Sequence, residues 1–315
     1  MSDASAPILL TGATGFIGRR VLSYLLDAGR RVHVLVRPAS AGRPGLDPRC
    51  RVYVGELTDA DVLCSALAGV GGIIYCAGTV RGRCLDDFLP ANVHGVGAAL
   101  DAMTRTGPMA SAGGRGPRLL LLSSLAASRP ELSDYARSKR RGEELLERAA
   151  VRDWTILRPP AVYGPGDTEM RPLLNLVRRG LVLRPGPPDQ RLALLHVDDL
   201  VRAVAAWLQA PAEACSQRAF TLDDGRPGGY SWQDIAAAVS SRRVREIAVP
   251  PALLRGAGAL NLWCAGMLGY APMLTPGKAR ELQQPRWLCD NAPFSHATGW
   301  QPEIGLERGA ATLFD

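Results

Sequence analysis

The sequence predicts an α/β fold, a doubly wound and open parallel sheet with helices on both faces, followed by a smaller C-terminal lobe. Three observations predict it. Apolar bursts of strand length recur at residues 8–10, 32–36, 51–54, 72–76, 118–122 and 154–157, and they are continuous rather than alternating, which marks strands buried on both faces. Amphipathic helical patterns fill the intervals at residues 19–28, 59–68, 87–106 and 134–150, the alternation expected of a parallel sheet covered by helices. After Pro159 the composition shifts to shorter, less regular elements rich in Pro and Gly, as in a lobe that covers the C-terminal edge of a sheet.

Bulk properties bound the reading. The 315 residues are 47% hydrophobic, enough to bury a large core in one elaborate domain or two. Lys and Arg number 37 against 30 Asp and Glu, a net charge of +7, and the arginines are spread along the chain. That distribution favours an anionic ligand over nucleic acid. Seven cysteines, at 50, 64, 76, 84, 215, 264 and 289, form neither a CxxC pair nor a metal-ligand spacing, and read as free thiols of a reducing compartment. Seven residues precede the first apolar run, too few for a signal peptide, so a cytoplasmic location is expected. The longest apolar stretch, residues 250–275, is broken by Arg255, Pro272 and several glycines, which argues against a spanning helix and leaves peripheral contact with lipid open. Segments 37–49 and 107–117, rich in Gly, Pro and Arg, read as loops.

The first strand runs into Thr11-Gly12-Ala13-Thr14-Gly15-Phe16-Ile17-Gly18 and then a helix. In that context Gly12 allows the tight turn, Gly15 lets backbone approach a pyrophosphate, and Gly18 lets helix pack closely on strand. The phosphates of a dinucleotide would lie against unpaired N–H groups at the helix N-terminus. A carboxylate at the end of the second strand is the mark of NAD, because it bonds the adenosine ribose; here the strand ends in Arg37. A guanidinium grips a 2′-phosphate, so NADP(H) is the expected cofactor, with NAD(H) the alternative. Arg19 and Arg43 are second candidates for that phosphate, or surface arginines.

Ser123 and Ser124 follow the fifth strand, at the edge where ligands bind in open α/β sheets. Eleven residues after Ser124 come Tyr135-Ala136-Arg137-Ser138-Lys139, which puts Tyr135 and Lys139 on one face of a helix at i and i+4. An ammonium beside a phenol favours ionisation, and a tyrosine so placed can exchange a proton with a substrate oxygen.

Together with Arg158 to Asp167 and His196-Val197-Asp198-Asp199, these motifs resemble an extended short-chain dehydrogenase/reductase of the NAD(P)-dependent epimerase/dehydratase superfamily, with a Rossmann fold, over nearly the full chain. The resemblance implies that Ser124 holds the substrate oxygen, with Ser123 the alternative, that Tyr135 is the general acid or base, and that Lys139 binds the nicotinamide ribose and lowers the tyrosine pKa. Asn92 stands at the family's helix asparagine, which supports a proton relay. Cys76-Ala77-Gly78 resembles the loop that passes the cofactor, Pro159 to Val162 the segment beside the carboxamide, and Glu56-Leu57 the Asp-Leu near adenine. The implied cofactor domain is residues 1–165, with residues about 190–225 returning to it, and residues 166–315 are mainly a substrate lobe. The helices at 87–106 and 134–150 resemble those that pair in the family's homodimers.

Other residues read as structural. His196, Asp198 and Asp199 suit a turn and a helix N-cap, and His33, His94 and His296 lack ligand spacing, so no metal is expected. Trp232, Trp263, Trp287 and Trp300 suit packing, with one or two lining a pocket.

Leu125-Ala126 stands where the dehydratases of the family carry Asp-Glu, and this disfavours water elimination. An NADPH-dependent reductase of a bulky carbonyl, similar to the 3β-hydroxysteroid dehydrogenase and dihydroflavonol reductase branches, is the first reading. A nucleoside-diphosphate-sugar epimerase or reductase is the alternative. The third reading is a non-catalytic NADPH-binding scaffold or sensor, against which the Tyr135–Lys139 pair argues. Residues 252–273 are apolar enough to line a substrate pocket or simply to pack in the core.

Overall fold

The computed structural model describes residues 6–42, 46–106 and 116–313. Among them the strands are β1 (Ile8–Thr11), β2 (Val32–Val36), β3 (Arg51–Val54), β4 (Gly72–Tyr75), β5 (Arg118–Leu122), β6 (Trp154–Arg158), β7 (Ala161–Tyr163), β8 (Leu181–Arg184), β9 (Arg191–Leu192), β10 (Leu194–His196), β11 (Arg218–Thr221), β12 (Arg245–Ala248) and β13 (Arg286–Trp287). The helices are α1 (Phe16–Asp27), α2 (Pro38–Ala41), α3 (Ala60–Leu67), α4 (Gly95–Thr106), α5 (Asp134–Arg148), α6 (Arg171–Arg178), α7 (Val197–Gln209), α8 (Ala212–Cys215), α9 (Trp232–Val239), α10 (Pro251–Leu268), α11 (Pro276–Leu282), α12 (Ala292–Thr298) and α13 (Leu306–Ala311).

Seven parallel strands form one sheet in the order β11-β6-β5-β4-β1-β2-β3. Its strands are apolar on both faces because both are covered. Ile8 and Leu10 of β1 point into a core with Val21, Leu22 and Leu25 of α1 and Leu200, Val204 and Trp207 of α7. Leu9 points the other way, into a core with Leu63 and Leu67 of α3, Val96 and Met103 of α4, and Leu146 of α5. This is the doubly wound Rossmann arrangement expected. The chain moves outward from β1 through β2 to β3, then crosses to β4 on the other side of β1, which makes the C-terminal ends of β1 and β4 the switch point where such sheets open a crevice. A third core, containing Tyr163, Leu174, Val182, Trp232, Ile235 and Leu306, gathers the later elements. Other later elements return to the sheet: β11 pairs in parallel with β6, and α7 and Phe294 of α12 pack in the first core.

Two local expectations change. Residues 37–49 contain a helical turn, α2, because Pro38 sits at a first helical position where its missing N–H costs nothing. Of the loop expected at 107–117, residues 107–115 lie outside the described residues, as does Arg43. The pattern at 87–106 is not one helix. A 3₁₀ turn at Leu85–Asp87 precedes a π-helical turn at Pro90–His94, and α4 begins only at Gly95. The wide turn lets α5 press on the backbone there, and an added Cβ at Gly142 would overlap the Asn92 carbonyl oxygen.

One buried carboxylate ties the ends of β5, β6 and α5 together. Glu143, fully buried in α5, accepts from Ser123 Oγ at 2.5 Å, from Arg158 Nε and Nη2 at 2.9 and 2.6 Å, and from Arg140 Nη1 at 3.2 Å. Removing one member of such a pair leaves a charge without its partner. Glu143→Ala is therefore expected to cost about 3 to 5 kcal/mol of stability, read as a lowered midpoint in urea unfolding.

Candidate active site

At the switch point the backbone itself makes the site. Gly12 has φ +71°, and a Cβ there would stand 2.7 Å from Ala77 N; one at Gly18 would overlap the Gly12 carbonyl oxygen. Both positions admit only glycine. Gly15 differs: a Cβ would lie 3.3 Å from Gly12 O, its N–H already donates to that oxygen at 3.0 Å, and the residue is exposed. No side chain caps α1, so its leading N–H groups, at Phe16, Ile17 and Gly18, meet no side-chain acceptor. An open turn, a bare helix N-terminus and a partly exposed Thr14 fit a diphosphate.

Thr11 Oγ1 accepts from Ala77 N at 3.2 Å and clamps the end of β1 to the loop after β4. In that loop Gly78 lies so close to its neighbours that a Cβ would be 3.2 Å from Asn92 Oδ1 and 3.6 Å from Lys139 Nζ. Cys76 lies beside Lys139, and burial pushes its thiol up to about 12. Arg37 is exposed at the end of β2 and forms no ion pair among the described residues. Arg19 is likewise exposed and donates to Thr14 O at 3.3 Å. Glu56 is exposed and Leu57 half-buried after β3, the edge strand. Pro159 is buried and accepts from Leu125 N at 2.8 Å, while half-buried Val162 packs against the core under α1.

The two serines have different surroundings. Ser123 is buried and its hydroxyl is committed to Glu143. Ser124 is partly exposed, caps the 3₁₀ turn Leu125–Ser128 by accepting from Ala126 N, and is hydrogen-bonded to the phenol of Tyr135. Asn92 is 3% exposed and fully engaged: its amide donates to Thr79 O at 3.0 Å and Ser138 Oγ at 2.9 Å, and its oxygen accepts from Thr79 N at 3.0 Å. The side chain is thus a brace between the loop after β4 and α5.

Lys139 is buried, and its Nζ donates to Leu122 O at 2.8 Å. Burial pulls its pKa down to about 8. Burial also pushes Tyr135 up to about 12, against the bond from Ser124 and with the help of the Glu281 carboxylate. At neutral pH the phenol therefore holds its proton.

Tyr135 opens into a cavity of about 180 Å³ lined by Val80, Arg83, Phe88, Leu262, Pro272, Met273 and Lys278 among others. Its far wall is α11, which no motif in the sequence had marked. Ser133 Oγ, the N-cap of α5, donates to buried Glu281; Arg280 Nε donates to Leu132 O at 2.8 Å; and Lys278 Nζ bonds Glu281 at 2.7 Å and lies 5.8 Å from the Tyr135 ring centre. The only trace in the sequence was a helical spacing of Lys278 and Glu281 downstream of the apolar stretch.

The His-Val-Asp-Asp element lies elsewhere and is structural. His196 is buried and accepts from Asp198 N to cap α7, Asp198 pairs with Arg20 at 2.7 Å, and Asp199 accepts from the N–H groups of Glu303 and Ile304. Trp232 and Trp300 are buried, whereas Trp263 is 63% exposed, against the expectation that it packs. No group of three or more His, Cys, Asp or Glu among the described residues could hold a metal.

A model of the NAD dependent epimerase/dehydratase family matches residues 8–222. The chain belongs to that family. A ceramide reductase of Caulobacter vibrioides (strain NA1000 / CB15N) is 35% identical over 318 residues, covering 100% of this chain and 95% of the relative. A 2-alkyl-3-oxoalkanoate reductase of Stenotrophomonas maltophilia (strain K279a) is 26% identical, covering 97% and 98%. Among solved structures, gox2253 superposes with a TM-score of 0.72 at 21% identity, covering 98% of this chain and 97% of that one. MoeE5 in complex with UDP-glucuronic acid and NAD does so with a TM-score of 0.69 at 22% identity, covering 97% of each; at these identities the likeness is one of fold. The family member is an NAD(P)-dependent enzyme of the oxidoreductase type, an extended short-chain dehydrogenase/reductase.

The depressed Lys139 makes a signed prediction. Folded, it releases its proton near pH 8, whereas the unfolded chain keeps it to the ordinary value near 10.5. Between those values the unfolded state binds more protons, so stability contributed through this group rises with pH. Urea unfolding at pH 8 and pH 10 is expected to show that rise in the native chain and a smaller one in Lys139→Met.

Proposed function

We propose that this enzyme uses NADPH to reduce a ketone carried by a long-chain, lipid-like molecule. The observation that carries the reading is the partly buried Tyr135 phenol, bonded to Ser124 and opening into a cavity whose lining includes Phe88, Leu262 and Met273. Substrate class is supported by two relatives that span nearly the whole chain, one named for ceramide and one for a 2-alkyl-3-oxoalkanoate.

In this reading Gly12, Thr14, Gly15, Phe16, Ile17 and Gly18 hold the diphosphate, Arg37 the 2′-phosphate, Glu56 and Leu57 the adenine side, and Cys76, Ala77, Gly78, Pro159 and Val162 the nicotinamide half. The reduced dinucleotide, when bound, supplies the hydride. Tyr135, protonated across the neutral range, gives its Oη proton to the substrate oxygen, and Ser124 donates to the same oxygen. Lys139 offsets the phenolate charge left behind. Asn92 keeps Gly78 and α5 in register, and Ser123 holds Glu143 rather than substrate. Residues 1–165, with 190–225, form the cofactor part, and residues 166–315 mainly the substrate part.

Tyr135→Phe is expected to lower kcat for NADPH-dependent reduction of a 3-oxo acyl lipid by about 10²-fold or more, the scale of a lost general acid. Undiminished turnover would refute the mechanism. Arg37→Ala is expected to raise KM for NADPH about tenfold, the loss of a charge-assisted bond, with KM for NADH unchanged. An equal effect on both cofactors would remove Arg37 from the 2′-phosphate site.

A further inference from the structure

Helix α10 is apolar on all sides, yet only one side is covered. Leu254, Gly258, Asn261, Leu262 and Ala265 form the inward stripe, with Asn261 Nδ2 donating to Leu274 O at 2.8 Å, and a Cβ at Gly258 would stand 2.8 Å from the Thr275 backbone. The opposite stripe, Leu253, Leu260, Trp263 and Met267 at i, i+7, i+10 and i+14, is between 62 and 69% exposed, and Leu268 beyond it is 77% exposed. An all-round apolar helix ordinarily belongs in an interior. No helix among the described residues is long and apolar enough to cross a membrane, so an interior of that kind is not its place.

We propose that the outer face of α10 lies in the interface of an anionic lipid bilayer and brings the mouth of the Tyr135 cavity to the membrane surface. Three observations choose this occupant. The exposed set includes Trp263, with Tyr270 just past the helix end, side chains that favour the headgroup boundary. From residue 247 to residue 280 the chain contains no Asp or Glu, while Arg255 and Arg280 carry positive charge that no carboxylate among the described residues pairs. Glu281, next in sequence, is buried and already bonded to Ser133 and Lys278. Such a face attracts anionic headgroups. A second copy of the chain suits it less, because a two-fold interface would set Arg255 against a surface with no carboxylate of its own. Finally, the cavity lies against the same helix: Leu262 of its inward stripe, with Pro272 and Met273 just after the helix, lines the space beside Tyr135, so a bilayer seated on the outer stripe is one helix away from it.

The placement extends the reading of a lipid-like substrate, but its test needs no turnover. The full-length protein is floated with vesicles of phosphatidylcholine containing one-third phosphatidylglycerol, and with phosphatidylcholine alone. Binding to the anionic vesicles is expected, at least tenfold weaker to the neutral ones and weakened by salt. The variant L260S/W263S/M267S, whose residues do not line the cavity, is expected to lose at least tenfold in binding while keeping its thermal midpoint and its kcat on a short, water-soluble ketone. Absence of native binding to anionic vesicles, equal binding to both kinds, or a native dimer in sedimentation velocity that the variant dissolves would each overturn the proposal. Vesicle binding without ketone reduction would retain the docking face and reject the functional reading, whereas reduction without vesicle binding would do the reverse.

Discussion

A parallel strand pair cannot be closed by a tight hairpin, so every strand of this sheet must be left and re-entered through a crossover on one face or the other. With seven strands running one way, all their C-terminal ends emerge on the same edge, and the loops that leave them are gathered there. That constraint brings the turn after β1, the loop after β4, the serines after β5 and the segment after β6 to one edge, although they are separated by more than a hundred residues of sequence. Where the order reverses between β1 and β4, two crossovers diverge, and backbone stands exposed between them.

The edge stays open because its supports are rigid and close. Glycines at 12 and 18 let β1, α1 and the loop after β4 approach to distances that no Cβ permits. Behind them a second layer of polar contacts holds α5: Asn92 joins the loop after β4 to Ser138, and Glu143 joins Ser123 to Arg158. These groups are spent on one another, whereas Tyr135 lines the cavity and is hydrogen-bonded to Ser124. The same burial that fixes them sets their protonation, raising the phenol and lowering the lysine.

The later lobe contributes more than a cover. Through Glu281, Arg280 and Lys278, α11 grips the N-cap of α5 and one flank of Tyr135, so the position of the phenol depends on a segment some 140 residues downstream. The same segment follows α10, whose inward stripe lines the cavity through Leu262 while its outer apolar face is uncovered. The wall of the cavity and the placement of the Tyr135 phenol therefore share one structural element.

By itself the sequence determined six strands of the sheet, the helices that cover them and the local spacing of the candidate site residues. Continuous apolar runs are a one-dimensional record of burial on two faces, and the spacings of Gly12 to Gly18 and of Tyr135 to Lys139 on one helix are a few residues each. Tertiary structure alone decided the rest. That Ser123 donates to a buried carboxylate twenty residues on, while Ser124 does not, is a contact no local pattern records. The bracing of Asn92 came from a π-helical turn that periodicity reads as plain helix, and the exposure of Trp263 from what α10 happens to pack against. Each is a contact between distant segments, and hydrophobic pattern states that a side chain is apolar without stating which surface will cover it.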